Sequence, residues 1–218
     1  MSQSMIWLLL AIVAIVIILF SALSKKRFSI REITIIGVMA ALSFVAYEFL
    51  RIPNVFGTGS SFHLGNTFTA LTAMLLDGVC GGLAGAVGLA LADIVAGDPG
   101  YAVTTFVLKF LIGICCGFFS HKVFKLKKHS AKEGTRFYII VAICAFSGLL
   151  LNVFTDPFLG YFRNIYIFGQ DVAIATIWTK IAGGVTLINS LLSTVCAFVL
   201  YVALRPALEK ARLIPRDK

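Results

Sequence analysis

Charge is what this chain has least of. Only 13% of its 218 residues are charged and 59% are hydrophobic, with a mean hydropathy of +0.96. Soluble domains carry about 25% charged and about 45–50% apolar residues, so a soluble globular domain is excluded and a polytopic membrane protein remains. Metal chemistry is equally thin. The three histidines (His63, His121, His129) are scattered, and Cys80, Cys115, Cys116, Cys144 and Cys196 lie in apolar runs without a CxxC spacing. Structural zinc takes four converging ligands; no metal or other cofactor is expected, and the cysteines read as small hydrophobes in helix packing. Also missing are the phosphate loop GxxxxGK followed by Ser or Thr, and GxGxxG, HExxH and GxSxG. ATP hydrolysis therefore has no recognisable site in this chain. An integral membrane enzyme using Asp93 with His63 is the weakest reading, because a base needs a substrate within reach and no nucleophile or metal motif accompanies it. Nor is there an evident inverted repeat of the kind that marks many secondary transporters.

Acidic residues are scarce as well, 10 against 19 Lys and Arg, for a net charge of +9. Nucleic-acid binding would cluster the cations on one face with aromatics between them. Here they sit in short segments between hydrophobic runs, the pattern that sets membrane topology.

What is present is apolar length. A span takes roughly 20 residues, and seven runs qualify: Met5–Leu23, Ile33–Leu50, Leu64–Leu76, Val79–Ala96, Ala102–Ser120, Phe137–Phe154 and Val172–Leu204. The third is short and the last longer than a span needs. Lys25 to Arg31, Lys122 to Arg136 and Arg205 to Lys218 hold most of the basic residues, and seven crossings place all three segments on one side. By the positive-inside rule the N-terminus is outside and the C-terminus cytoplasmic in the plasma membrane. The opposite side then receives Arg51–His63, the Gly97–Tyr101 turn and Asp156–Asp171, segments rich in Gly, Pro, Asn and aromatics that can fold over a pocket. The fourth run, DGVCGGLAGAVGLALAD, repeats Gly and Ala every four residues, which lets helices approach closely in lipid and predicts a central helix packed on several sides.

Ionisable groups inside spans are costly, and Glu48, Asp93, Lys109, Asp156 and Lys180 each fall in or near one. Glu48 and Asp156 lie near the outer surface, where water solvates them as readily as a ligand would. Asp93 and Lys109 lie one and two helical turns below the Gly-Asp-Pro-Gly turn on neighbouring helices, placed either to bridge each other or to hold a ligand. His63, Asn66, Thr67, Tyr101, Thr105, Asn152, Trp178 and Lys180 share that depth, which points to a polar pocket in the outer half. One function this permits is a stand-alone proton-coupled carrier using Asp93 and Lys109.

The stretch from Phe62 to Gly117 carries a resemblance. Its "GNTF" opening, the "GGLAGAVGLALAD" helix and the following "GDPGYAVTTFVLKFLIG" resemble the substrate-binding S components of energy-coupling factor (ECF) vitamin transporters, over roughly Arg31 to Arg205. The resemblance implies an all-α integral membrane fold, a six-helix bundle over residues 29–218, here with an additional N-terminal transmembrane helix in residues 1–28. It implies capture of a vitamin or precursor near the outer surface, beneath the loop after the first core helix. The site residues expected on this basis are His63, Asn66, Thr67, Asp93, Tyr101, Thr105, Lys109, Asn152, Trp178 and Lys180; riboflavin-like, pyridoxine-like and hydroxymethylpyrimidine-like rings all suit them. The implied partners are a membrane coupling subunit and two cytoplasmic ATPases, which supply the missing phosphate loop. The small-residue ridge that meets the coupling subunit in that family corresponds to Gly37 and Ala41, with Gly in place of the usual first Ala.

Overall fold

The computed structural model describes Ile17, residues 21–53 and residues 60–214. Most of the expected Met5–Leu23 span lies outside these residues. Six α-helices follow one another in the described chain: α1 Ile30–Glu48, α2 Asn66–Leu75, α3 Gly78–Val95, α4 Pro99–Phe118, α5 Thr135–Tyr166 and α6 Val172–Lys210. A two-residue antiparallel pair, β1 Ile52–Pro53 and β2 Ser61–Phe62, brackets the connection between α1 and α2. All the long helices except α2 are long and apolar enough to cross a membrane.

The sequence reading counted α2 as a span, and the structure corrects it. Its 10 residues rise only about 15 Å, and nine of them are buried. Wrapped by α1, α3, α4, α5 and α6, it is an internal pillar that never needs to face lipid along its full length. It still carries the chain from one end of the bundle to the other, since Asn66 lies near His63 and the Leu76 carbonyl accepts a hydrogen bond from Lys127. The alternation of basic and non-basic loops therefore survives over the described residues.

A second correction concerns Asp156–Asp171, expected as a loop. Helix α5 continues through Pro157 to Tyr166, leaving a turn of a few residues before α6. Proline within a buried transmembrane helix is tolerated where neighbouring helices and polar side chains compensate the lost bond.

Helix α3 is central, as its composition predicts. A Cβ at Gly81 or Gly85 would run into α2 at Ala73 and Thr69, one at Gly88 into the Ala40 carbonyl of α1, and one at Gly82 into the Phe110 backbone of α4. Glycine is what lets three helices touch a fourth at once.

The basic end is tied down by ion pairs. Ser29 caps α1 in a reciprocal capping box with Glu32, and Asp77 caps α3 at the Cys80 N–H. The Lys26 ammonium bridges both acids, at 2.6 Å to Glu32 and 2.5 Å to Asp77. Burial opposes its charge, but hydrogen bonds to Asp77 and Glu32 outweigh this and raise its pKa. Asp77 is shifted down in turn: burial pushes upward, and the hydrogen bonds from Lys26 and the Cys80 N–H, with the Lys26 charge, together outweigh it. Arg205 of α6 donates to the carbonyls of Leu126, Lys127 and His129 and pairs with Glu209 at 2.7 Å, fastening the α4–α5 connection.

The main apolar core, with Leu71, Met74, Ile112, Cys116, Val141, Leu149 and Tyr201, draws on α2, α4, α5 and α6. A smaller cluster of Tyr47, Leu89 and Ala92 sits at the other end. There the polar side chains gather.

Candidate functional site

Polar residues at helical spacing converge there on one cavity of about 90 Å³. From α4 come Tyr101, Thr105 and Lys109, one turn apart; from α3, Asp93; from α5, Asn152, Asp156, Arg163 and Asn164; from α6, Trp178, Thr179, Thr186 and Asn189. Tyr47 of α1, Ser61 of β2, His63 and Asn66 complete the polar lining.

Of the ten residues expected from sequence, His63, Asn66, Asp93, Tyr101, Thr105, Lys109, Asn152 and Trp178 line the cavity. Thr67 is buried but not part of the lining, and Lys180 is exposed. Both were placed by depth alone. A single residue step turns a helix by about 100°, so the residue after Asn66 and the residue after Thr179 point elsewhere. The same spacing reveals what that reading passed over: Thr179, Ala182, Thr186 and Asn189 recur every three or four residues on one face of α6, and all line the cavity.

Lys109 and Asp93 do not form a salt bridge. Among the described residues no carboxylate lies within 4.0 Å of the Lys109 ammonium, although the residue is only 7% exposed. Its nearest opposite fields are those of Asp156 and then Asp93. The hydroxyls of Thr105 and Tyr47 attend Asp93, whose Oδ2 is left without a hydrogen bond. Asp156 accepts a hydrogen bond from the Thr186 hydroxyl. Further unpartnered atoms face the same space: Asn66 Oδ1, Asn152 Oδ1, Asn164 Oδ1, Thr179 Oγ1 and Arg163 Nε. Buried polar groups in native proteins nearly always find partners, so these atoms leave hydrogen-bonding capacity in the cavity for water or another molecule.

Aromatic contacts frame the mouth. The Arg163 guanidinium lies 3.7 Å from the centre of the Tyr101 ring and 5.6 Å from that of Phe168, while Arg51 covers Tyr47 at 5.4 Å. Tyr47 in turn meets His63 with ring centres 4.7 Å apart. Asn189 fastens the covering segment to α6, donating to the Ser61 carbonyl at 2.9 Å and accepting from the His63 N–H at 3.1 Å.

Burial pushes the His63 imidazole down to about 3, helped by the charges of Lys109 and Arg51. The neutral ring accepts from the Gly65 N–H through Nδ1 at 3.2 Å, which leaves its proton on Nε2. Unfolded histidine titrates near about 6.5, so between that value and about 3 the unfolded chain binds the extra proton. Stability supplied by neutral His63 is thus complete above about pH 6.5 and drains away as pH falls through this window. In detergent, the unfolding temperature is expected to drop across it, and His63→Asn to flatten the slope; equal slopes would refute the assignment.

A family model described as the S component of an ECF-type riboflavin transporter matches residues 27–206. The chain belongs to this family of ECF transporter S components. The S component is a multi-pass membrane protein that binds substrate for an ECF transporter, and it is a transport subunit, not an enzyme. It is also 30% identical over 138 residues, 63% of this chain and 80% of its relative, to a Pyrococcus woesei protein described as an uncharacterized protein in gap 3'region. No solved structure matches. The extent of the family match accords with the bundle: it begins beside Lys26 and ends beside Arg205, the two residues that tie the basic end together.

Proposed function

We propose that this S component captures riboflavin or a closely similar planar vitamin ring in the cavity between α3, α4, α5 and α6, and delivers it to an ATP-driven importer. The supporting observation is the set of unpartnered cavity groups, a lysine ammonium, a carboxylate oxygen and three amide oxygens. A flat heterocycle with alternating donors and acceptors on its edge satisfies such a set, while Tyr101 and Trp178 offer faces for stacking. The family description supports the flavin.

A second reading rests on size. The cavity of about 90 Å³ is well below the roughly 300–1,000 Å³ of drug-sized pockets. It suits one ring, as in pyridoxine or a hydroxymethylpyrimidine, whereas a three-ring flavin enters only if the cavity side chains move. Quenching of flavin fluorescence and ligand-induced thermal shift on the purified chain distinguish these. Riboflavin binding at low micromolar concentration or tighter supports the first reading, a shift with the one-ring compounds alone supports the second, and no shift with either defeats both.

The basic end is proposed to face the cytoplasm, with the cavity outside, as the concentration of Lys and Arg at one end favours. The coupling subunit is proposed to dock on α1 at Gly37 and Ala41, both exposed; among the described residues nothing lies within 4 Å of a Cβ built on Gly37. ATP hydrolysis belongs to two partner ATPases in this reading. Uptake by the chain reconstituted alone, driven by a proton gradient, would instead favour the carrier built on Asp93 and Lys109. The N-terminal span in residues 1–28 is proposed as an appendage to the six-helix domain of 29–218.

A further inference from the structure

Far from the ligand cavity, the basic end contains a second hollow of about 340 Å³, between residues 22–26, the start of α3 and the end of α4. Its walls are apolar, with Ala22, Val79, Ile114 and Phe118, and lysines stand at its rim. Lys26 is committed there, its ammonium held between Glu32 and Asp77. That ammonium also supplies the counter-charge for Glu32 and Asp77, which with Cys80 bring ligand atoms within 4.8 Å of one another, so the trio makes no case for a metal. His121 is turned to the Ala73 carbonyl at 2.8 Å. Lys25 and Lys122 are different: both are exposed, both line the hollow, and among the described residues neither forms an ion pair.

An apolar groove rimmed by two uncommitted cations, at the end of a membrane bundle, matches one kind of molecule in both charge and polarity. From Ile114 to Lys122 is eight residues, roughly 12 Å along a helix, so the groove starts in the hydrocarbon layer and its rim reaches the headgroups. Basic pockets between transmembrane helices at the charged face of a bilayer hold anionic headgroups. We infer that this groove is a site for an anionic phospholipid, with an acyl chain against Ile114 and Phe118 and the phosphate between Lys25 and Lys122. A lipid seated there bridges the segment leading into α1 to the α3–α4 pair, and so makes the stability of the basic end depend on the membrane's composition.

The test uses the full-length chain in detergent, with phosphatidylglycerol as probe and phosphatidylcholine of the same acyl chains and inorganic phosphate as controls. Native mass spectrometry is expected to resolve one retained phosphatidylglycerol on the wild type, accompanied by a rise in unfolding temperature that neither control produces. Lys25→Gln with Lys122→Gln, both on the surface and remote from the ligand cavity, should weaken that adduct roughly tenfold or more and remove the thermal gain, leaving the unfolding temperature in phosphatidylcholine unchanged. Val79→Trp, which fills the groove from a half-buried position, should displace the lipid with both lysines intact. The inference is overturned if phosphatidylcholine binds as well, if phosphate alone gives the thermal gain, or if neither variant changes the adduct. The last result would mean that the groove holds something other than lipid.

Discussion

Lys109→Met is expected to weaken ligand capture roughly thirtyfold or more while leaving the protein folded. The ammonium is buried, among the described residues no acid lies within ion-pairing distance, and it lines the cavity. Breaking a buried ion pair by removing one partner costs about 3–5 kcal/mol of stability, and a lysine serving that purpose would reveal itself as a lost fold. A lysine held in reserve for a ligand behaves differently. Methionine fills the same length without the desolvation cost of a charge, so the unfolding temperature without ligand should stay within a few degrees of wild type. Riboflavin affinity should fall roughly thirtyfold or more, the consequence of losing about 2 kcal/mol or more when one partner of a buried, hydrogen-bonded charge is removed. The readouts are flavin fluorescence titration and thermal unfolding on the same preparation. A collapsed unfolding temperature with unchanged affinity per folded molecule would reassign Lys109 to the scaffold. Asp93→Asn is the matching control on the facing helix, since it keeps the shape and removes the charge.

What the sequence disclosed about this site follows from which distances are local. Tyr101, Thr105 and Lys109 are four residues apart on α4, so their shared face is written into the spacing. The depth of Asp93 follows just as directly from the turn after α3. Depth ignores rotation about the helix axis, however, so Lys180 and Thr67 share the depth of the cavity without lining it. Arg163 and Asn164 were hidden by a different cause. Pro157 and the Gly and aromatic residues around it look like loop chemistry, yet the surrounding helices hold α5 together past the proline. Asn189 could be found by periodicity on α6, but its partners Ser61 and His63 lie more than 120 residues away, and nothing local announces such a pairing. Helix α2 has the hydropathy of a span because hydropathy records how apolar a segment is and says nothing of what surrounds it. Buried among five helices, it is apolar for the same reason as the core of a soluble protein.

The small-residue pattern on α3 was legible throughout, and it leads to the prediction with the greatest consequence for folding. Gly113→Leu is expected to prevent the bundle from assembling. The position lies on α4 where it crosses α3, and a Cβ there would overlap the backbone of Gly82 and Gly81, while Gly117, one turn on, meets the Gly78 backbone in the same way. A side chain opposed by another side chain finds relief in a new rotamer, but one opposed by backbone separates the helices. Overpacking in a well-packed core costs about 1–3 kcal/mol and occasionally more, and here it also breaks the small-residue contact that drives helix association in lipid. Because α3 and α4 carry Asp93 and Lys109 to the same cavity, separating them loosens the site as well as the scaffold. Gly113→Leu should therefore yield little monodisperse protein in detergent, and what is recovered should bind no riboflavin. Gly37→Leu on α1 is the contrast: with nothing among the described residues within 4 Å of its Cβ, it should give folded, ligand-binding protein. If it then fails to assemble with the coupling subunit, the two glycines will have been shown to serve different contacts, one inside the receptor and one outside it.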